Sequence, residues 1–402
     1  MSRASQVFGL GLAAVMGFMA SDALAREPAS HWVAAWAASQ QGLSQIKITN
    51  ASVRMIARVT VPGEGVRVRL DNTFGKEPLA IGHATIGPRI RGAAVAAGMN
   101  KPVTFGGEGA VNVPAGGSIE SDPVAMHVDA QEDLAVSLYV SGSDVQPSQH
   151  NNAVVTSYVT DNGAGDQTAS EDGMPFTGRT TSMYWVKAID VRAAAPASTI
   201  VAFGDSITDG TCTTLDAHDR WEDTVAHRLA MQRPARRAVV NEGIGGNTVT
   251  NAPNYNPAVN SPPGVDRLER DVLSHPGVTH VVLFMGTNDI ARGATAEPIE
   301  RAIKDMIARV HAKGIKIIGA TIIPRQNAAW DAGRNKVKNE VNAWIRKAAG
   351  FDSVLDFDRV VRNKNKPDLI EAAYGCGDGV HPSPLGYFLM GRSVDLALFA
   401  PK

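Results

Sequence analysis

In Val201 to Gly210, VAFGDSITDG, an apolar run breaks into glycine, acid and serine. Thr199 to Phe203 reads as a short buried strand that Gly204 ends. A serine just past the end of a buried strand is held on a tight turn with its hydroxyl presented to solvent, which makes Ser206 a candidate nucleophile. Far along the chain, DGVHP at Asp378 to Pro382 puts a carboxylate three positions before an imidazole and within its reach. An imidazole can take a proton from a hydroxyl and return it to a leaving group around neutral pH. His381 is therefore the candidate base, and Asp378 the group that fixes its tautomer and stabilises the imidazolium. Ester hydrolysis needs those three roles together with donors for the oxyanion.

Two further blocks lie between them, NEGIGGN at Asn241 to Asn247 and GTND at Gly286 to Asp289, the latter after the apolar strand Val281 to Met285. The four blocks in this order resemble the GDSL/SGNH hydrolases, whose four named residues would fall on Ser206, Gly246, Asn288 and His381. The resemblance implies a flavodoxin-like SGNH hydrolase domain and an oxyanion hole made of the Ser206 N–H, the Gly246 N–H and the Asn288 side-chain amide. It covers roughly the last half of the chain. VAFGDSITDG, then DxxxRW at Asp216 to Trp221, then NEGIGGN is similar to a bacterial subgroup of arylesterases and acylhydrolases associated with plant-polysaccharide degradation. WVAAW and LDNTFGKEPLAIG resemble the region that precedes the catalytic domain in that subgroup, from which Cys212 and Cys376 are a departure.

Each block also has a plainer reading. GDS alone fits a glycine turn with a capping serine. Gly246 fits a turn glycine, with Gly245 as an alternative donor, and Asn288 fits a helix N-cap. Asp378 and His381 could be a metal pair, but no third ligand stands nearby and one DxxH is too little for zinc. No metal and no cofactor is expected. His83 and His150 read as structural.

These residues need a scaffold that brings them to one place. From Thr199 the chain alternates strand and helix, with strands at Thr199 to Phe203, Ala238 to Asn241, Thr279 to Met285, Ile315 to Ile322 and Ser353 to Phe357. Ile299, Ile303, Ile307 and Val310 mark one helix that Gly314 stops, Val337, Val341, Trp344 and Ile345 mark the next, and Leu385 to Phe399 supplies the last. Five strands alternating with helices predict an α/β fold with a five-stranded parallel sheet. Its site would lie beyond the carboxyl ends of the strands, where all the blocks fall. Residues 31–191 read instead as an all-β domain, sandwich-like or jelly-roll-like, with period-two strands at Val66 to Leu70 and Leu134 to Val140 and frequent turn signals between. Asp161 to Gly178 is a loop and Ser182 to Val191 a strand. Trp32 and Trp36 are expected in core or interdomain packing. The linker is placed at 192–198 and the catalytic domain at 199–400.

Residues 1–25 carry Arg3, an apolar run from Phe8 to Ala20, and Ala23-Leu24-Ala25, the pattern of a secretory signal too short to span a bilayer. A net charge of −1 with no Lys/Arg-rich run gives no footprint for nucleic acid or an anionic membrane, and no anchor is expected. Export also favours pairing of the two cysteines, Cys212 and Cys376. A disulfide there would pin the segment holding Asp378 and His381 against the one holding Ser206. Arg325 and Trp330 follow the fourth strand, and their loop, Pro324 to Gly333, is a candidate wall of the substrate pocket. The expected function is an exported serine esterase acting on a small-molecule or polysaccharide ester, short acyl groups on carbohydrate foremost. Arylesterase and lipase-type acylhydrolase are the alternatives. From other classes, a polysaccharide-binding protein with a vestigial hydrolase domain remains, and a nucleotide binder is disfavoured by the lack of GK[ST] or GxGxxG.

Overall fold

The computed structural model describes residue 1 and residues 30–400, except 233, 329, 348 and 349. The expected secretory signal thus lies, but for Met1, outside the described residues. Among those described, no helix is long and apolar enough to cross a membrane.

The period-two runs of the N-terminal half become antiparallel strands. The principal ones are β1 (Ser30–Ala37), β2 (Ala51–Val59), β3 (Val66–Asp71), β4 (Leu79–Arg91), β5 (Ser118–Glu120), β6 (Glu132–Val140), β7 (Ser148–His150) and β8 (Val186–Ala194). One sheet runs β1-β8-β3-β5, a second is centred on β2-β6-β4, and β7 is the middle strand of a small third. Val33, Val68 and Ile189 of the first sheet share one core with Met55, Val136 and Leu138 of the second. The apolar face of each sheet is buried by the other. The strand expected over Ser182 to Val191 is divided. Met183–Tyr184 pairs with β7, Trp185 takes a φ of 55°, and β8 begins at Val186 in another sheet.

The C-terminal half is built on β9 (Ser198–Gly204), β10 (Arg237–Gly243), β11 (Val278–Phe284), β12 (Lys316–Ala320) and β13 (Ser353–Leu355). They form a parallel sheet in the order β10-β9-β11-β12-β13. The helices that matter to the site are α1 (Ser206–Asp209), α2 (Trp221–Ala230), α3 (Gly264–Leu268), α4 (Thr287–Ala291), α5 (Ala296–Ala312), α6 (Ala332–Arg346) and α7 (Pro384–Ser393). Helix α5 buries Ile299, Ile303, Ile307 and Val310 as their spacing requires, and Gly314, at φ 71°, follows its end. The helix expected over Leu385 to Phe399 is broken. Val394 is extended, and the Asp395 carboxylate accepts the Ala397 N–H, capping a separate 3-10 turn, Leu396–Phe399.

The two halves are joined closely. Strand β8 pairs Ala193 with His31 and runs to Ala194, and β9 starts at Ser198, so the expected linker is largely strand. Ala34, Ala37 and Ala188 enter the core formed by Val201, Val240, Val281 and Leu283 of the parallel sheet. Across this seam the Thr199 hydroxyl donates to the Ala34 carbonyl at 2.8 Å and the Thr60 hydroxyl to the Val239 carbonyl at 3.0 Å. A Cβ on Gly277 would sit 2.6 Å from the Val33 side chain, so the backbones approach as only glycine allows. Trp36 packs against the N-terminal core, and Trp32 lies under the Arg67 guanidinium at 4.2 Å. Residues 198–402 expressed alone would expose this apolar face, and are expected to be insoluble or to melt without cooperativity. A cooperative thermal transition near that of the full chain would contradict this packing account.

Candidate functional site

Ser206 is the first residue of α1, immediately after β9. The chain turns there because a Cβ at Gly204 would overlap the Thr208 side chain, and because the Asp205 carboxylate caps the helix by accepting the Ile207 N–H at 3.0 Å. The Ser206 hydroxyl donates to His381 Nε2 at 2.8 Å, and His381 Nδ1–H donates to Asp378 Oδ2 at 2.5 Å. Asp378 Oδ1 also accepts the backbone N–H groups of Val380 and His381, at 2.8 and 2.9 Å, which locks the turn and aims the other oxygen at the ring. Burial raises the Asp378 carboxyl, but the His381 ring and those two N–H groups outweigh it and hold the group below the ordinary carboxylate range. Three groups predicted from two distant blocks thus meet in one hydrogen-bonded row.

The proposed oxyanion donors sit on the same rim. Gly246 has a φ of 73°, and a Cβ there would lie 2.5 Å from Asn260 Nδ2. Among the described residues, neither the Ser206 N–H nor the Gly246 N–H has a protein acceptor. The Asn288 amide donates one hydrogen to the Asn247 carbonyl at 2.9 Å. It has a second N–H to offer. Asn288 lies inside α4, whose N-cap is Gly286, so the capping alternative falls away. A hydroxyl on an imidazole–carboxylate pair, beside unpaired N–H donors, is an arrangement that can transfer an acyl group.

Several supporting residues were not found in the sequence reading. Asp289 accepts the Val249 and Thr250 N–H groups at 2.8 and 2.9 Å and so holds the loop after Gly246. Asp209 accepts the Gly245 N–H at 3.0 Å. Arg267 of α3, 1% exposed, donates to Asn247 Oδ1 at 3.0 Å and to the Gly204 carbonyl at 2.8 Å, bracing both sides of the serine. Asp209 and Asp289 could have been found as acids inside glycine-rich blocks. Arg267 carries no local signal.

The loop after β12 is seated on the segment of the base, with the Gln326 N–H donating to the Gly379 carbonyl at 2.8 Å. The Arg325 guanidinium lies 5.4 Å from the Trp330 ring, whose Nε1–H donates to Asn335 at 2.9 Å. Arg325 Nη1 is buried without a partner among the described residues. Cys212 and Cys376 face each other, with Cα atoms 6.3 Å apart. Together with Asp378 they are the one set of three His, Cys, Asp or Glu residues among those described whose ligand atoms converge.

Residues 202–389 match the GDSL-like Lipase/Acylhydrolase family. No curated protein matches the chain. Among solved structures it is similar to a carbohydrate acetylesterase family member from Sinorhizobium meliloti, at 19% identity over 50% of this chain and 97% of that one, TM-score 0.40. It is also similar to the M. smegmatis aryl esterase, at 20% identity over 49% and 96%, TM-score 0.39. A third is a mutant of an acetyl-xylooligosaccharide esterase from Geobacillus stearmophilus, at 21% identity over 49% and 93%, TM-score 0.38.

The acids that shape the rim are held away from their ordinary state. Burial pushes the Asp205 carboxyl up to about 7; the Ile207 N–H and the Arg325 charge pull it back, and Asp289 adds to the rise. Burial likewise raises Asp289 to about 6, against the pull of the Val249 and Thr250 donors. A carboxyl whose folded value lies above its unfolded one binds its proton more tightly when folded. Its contribution to stability is full below about 3.8 and is lost as pH rises to the folded value. Asp205→Asn keeps an acceptor for Ile207 and cannot ionise. Relative to wild type, its stability is expected to rise between pH 4 and pH 8 by on the order of 4 kcal/mol, measured by denaturant melts. A difference independent of pH would contradict the assignment.

Proposed function

Because residues 202–389 belong to the GDSL-like lipase/acylhydrolase family, which makes this a carboxylic ester hydrolase, we propose that it works through Ser206, His381 and Asp378. The observation that carries the reading is the row Ser206 Oγ, His381, Asp378, with steps of 2.8 and 2.5 Å. Ser206 Oγ attacks the ester carbonyl as His381 Nε2 takes its proton. The oxyanion is received by the Ser206 and Gly246 N–H groups and the Asn288 amide. Collapse expels the alcohol, protonated by His381, and leaves an acyl-serine. Water activated by the same imidazole then releases the acid. Asp378 keeps the ring's Nδ1 protonated throughout.

The substrate we propose is a short acyl ester, acetyl foremost, on carbohydrate. Its support is the likeness of VAFGDSITDG, DxxxRW and NEGIGGN, with the preceding WVAAW region, to polysaccharide-associated esterases. The leader pattern in residues 1–25 supports action outside the cytoplasm. The loop Pro324 to Gly333, seated beside Gly379, forms a wall of the acyl or leaving-group pocket. A disulfide between Cys212 and Cys376 fastens the loop after Ser206 to the segment before Asp378. It closes a long loop, for which chain entropy gives an upper bound of about 5 kcal/mol.

Ser206→Ala is expected to lower kcat on p-nitrophenyl acetate by roughly 10⁴-fold or more. Asn288→Ala should lower it by roughly 100- to 1000-fold. Alanine activity equal to wild type at position 206 would refute the assignment. Hydrolysis of acetylated xylan, compared with p-nitrophenyl esters of increasing chain length, tests the substrate class. A preference for long chains points to a lipase-type enzyme instead. Trp330→Ala should shift the relative kcat/KM values across that panel, and identical ratios would remove the loop from the pocket. Thiol titration of the unfolded, unreduced protein should find no free thiol, and two per chain would exclude the disulfide.

A further inference from the structure

We propose that His150, contributed by the β-rich N-terminal half, is a positioning residue of the esterase site, acting through Asp209 on the turn that presents the Gly246 N–H. The proposal rests on the esterase reading for its consequence, and on geometry alone for the clamp itself.

His150 closes β7 and is 3% exposed. Its Nδ1 meets the Ser39 carbonyl at 2.8 Å and its Nε2 meets Asp209 Oδ1 at 3.0 Å. A carbonyl and a carboxylate only accept, so Nδ1 and Nε2 each carry a hydrogen: His150 stands as a buried imidazolium that donates to its own half of the chain on the far side and to Asp209 on the other. The ring's other edge is then fixed on Asp209, the last residue of the helix that Ser206 begins. The second oxygen of Asp209 accepts the Gly245 N–H at 3.0 Å. On the other side of that residue, Asn260 Nδ2 donates to the Gly245 carbonyl at 2.9 Å. The Gly245 carbonyl and the Gly246 N–H belong to one peptide plane and point in opposite directions. With its carbonyl held by Asn260 and the preceding N–H held by Asp209, that plane has one orientation, and the Gly246 N–H is aimed by exclusion.

A second strap runs beside the first. Arg220 Nε donates to the Asp209 carbonyl at 2.7 Å, and its guanidinium reaches back to the Ala153 carbonyl in the N-terminal half. Asp209 therefore has its backbone and its side chain both tied to the β-rich half, while it touches both the serine helix and the oxyanion turn. Without His150, the Asp209 carboxylate would be left buried with one partner fewer, and would move or take a proton. Either change loosens Gly245. An oxyanion donor displaced by a fraction of an ångström affects the transition state more than the bound ester, so the expected signature is in kcat rather than KM.

The test uses the full-length protein and two readouts. Hydrogen–deuterium exchange of the peptide covering residues 241–249 should quicken in His150→Ala, whatever the protein's activity. On p-nitrophenyl acetate the same variant should lose roughly 10- to 100-fold in kcat with KM within about twofold. His150→Gln, whose side-chain amide can still donate to Asp209, should recover most of both effects, and carries the test should the alanine variant not fold. Thr199→Val, which removes the cross-seam hydrogen bond to Ala34 at the amino end of β9, should lower Tm while leaving kcat and the exchange of that peptide as in wild type. Unchanged exchange in His150→Ala, or a glutamine variant no better than alanine, would overturn the clamp. Faster exchange with wild-type kcat would overturn its catalytic role. A wild-type enzyme inert towards every ester would refute the esterase reading instead, and the exchange result would still decide the clamp.

Discussion

The Arg267 guanidinium is buried where the carboxyl ends of β9 and β10 meet the β-rich half, and the arrangement of the rim depends on how its donors are used. They end on the Gly204 and Glu242 carbonyls, the Ser39 hydroxyl, Asn247 Oδ1 and the Asp271 carboxylate. Its flat face lies 4.2 Å from the Phe203 ring. A buried cation with even one donor unmet would be costly, and losing a partner from such a set typically costs about 3–5 kcal/mol. These contacts tie the strand end that carries Ser206, the strand end that leads to Gly246, and Ser39 of the N-terminal half to one another. The same seam holds further charge: Lys187 reaches Asp71 and Asp271 at 3.4 and 3.7 Å, and Arg69 reaches Asp190 at 3.1 Å. Burial and the Asp271 charge push the Glu242 carboxyl up to about 8, and it accepts from the Ser39 hydroxyl and meets the His275 ring. A charged seam of this kind specifies one geometry, because each alternative packing strands a charge.

The hydrolase half was legible because its chemistry is written in contiguous blocks at the ends of apolar strands. Ser206, Asn288 and His381 each follow a recognisable strand or turn signal, and a parallel sheet brings such ends to one edge. The strand boundaries were less clear: Ile315 to Ile322 reads as one apolar run, but only Lys316–Ala320 pairs in the sheet. The final helix was overread because leucine and phenylalanine continue past Val394, whereas the Asp395 cap that restarts the chain is a single residue. Trp185, an ordinary strand residue by type, takes positive φ because two different sheets claim its neighbours. His150, Ser39 and Arg267 were out of reach. Each is a lone polar residue, and its meaning comes from partners more than a hundred positions away or from a seam that no periodicity announces.

The acids around the site show the same tension from the side of stability. Asp205 and Asp289 each accept backbone N–H groups that shape a turn of the candidate site, and each does so where burial opposes its charge. Their hydrogen bonds orient the turns beside Ser206 and Asn288, where the surrounding core buries them. The N-terminal half thus belongs to the energetics of the hydrolase edge, through the alanine-lined face of β1 as well as through its polar contacts.

The central claim is that Ser206 is a nucleophile activated by His381. It is tested most directly by treating the full-length protein with an activated phosphonate ester and locating the adduct by peptide mass spectrometry. The account predicts one stoichiometric adduct, on Ser206, that forms on the native protein and is lost when His381 is replaced by alanine. An adduct on another residue, or labelling of Ser206 that proceeds equally well without His381, would contradict it.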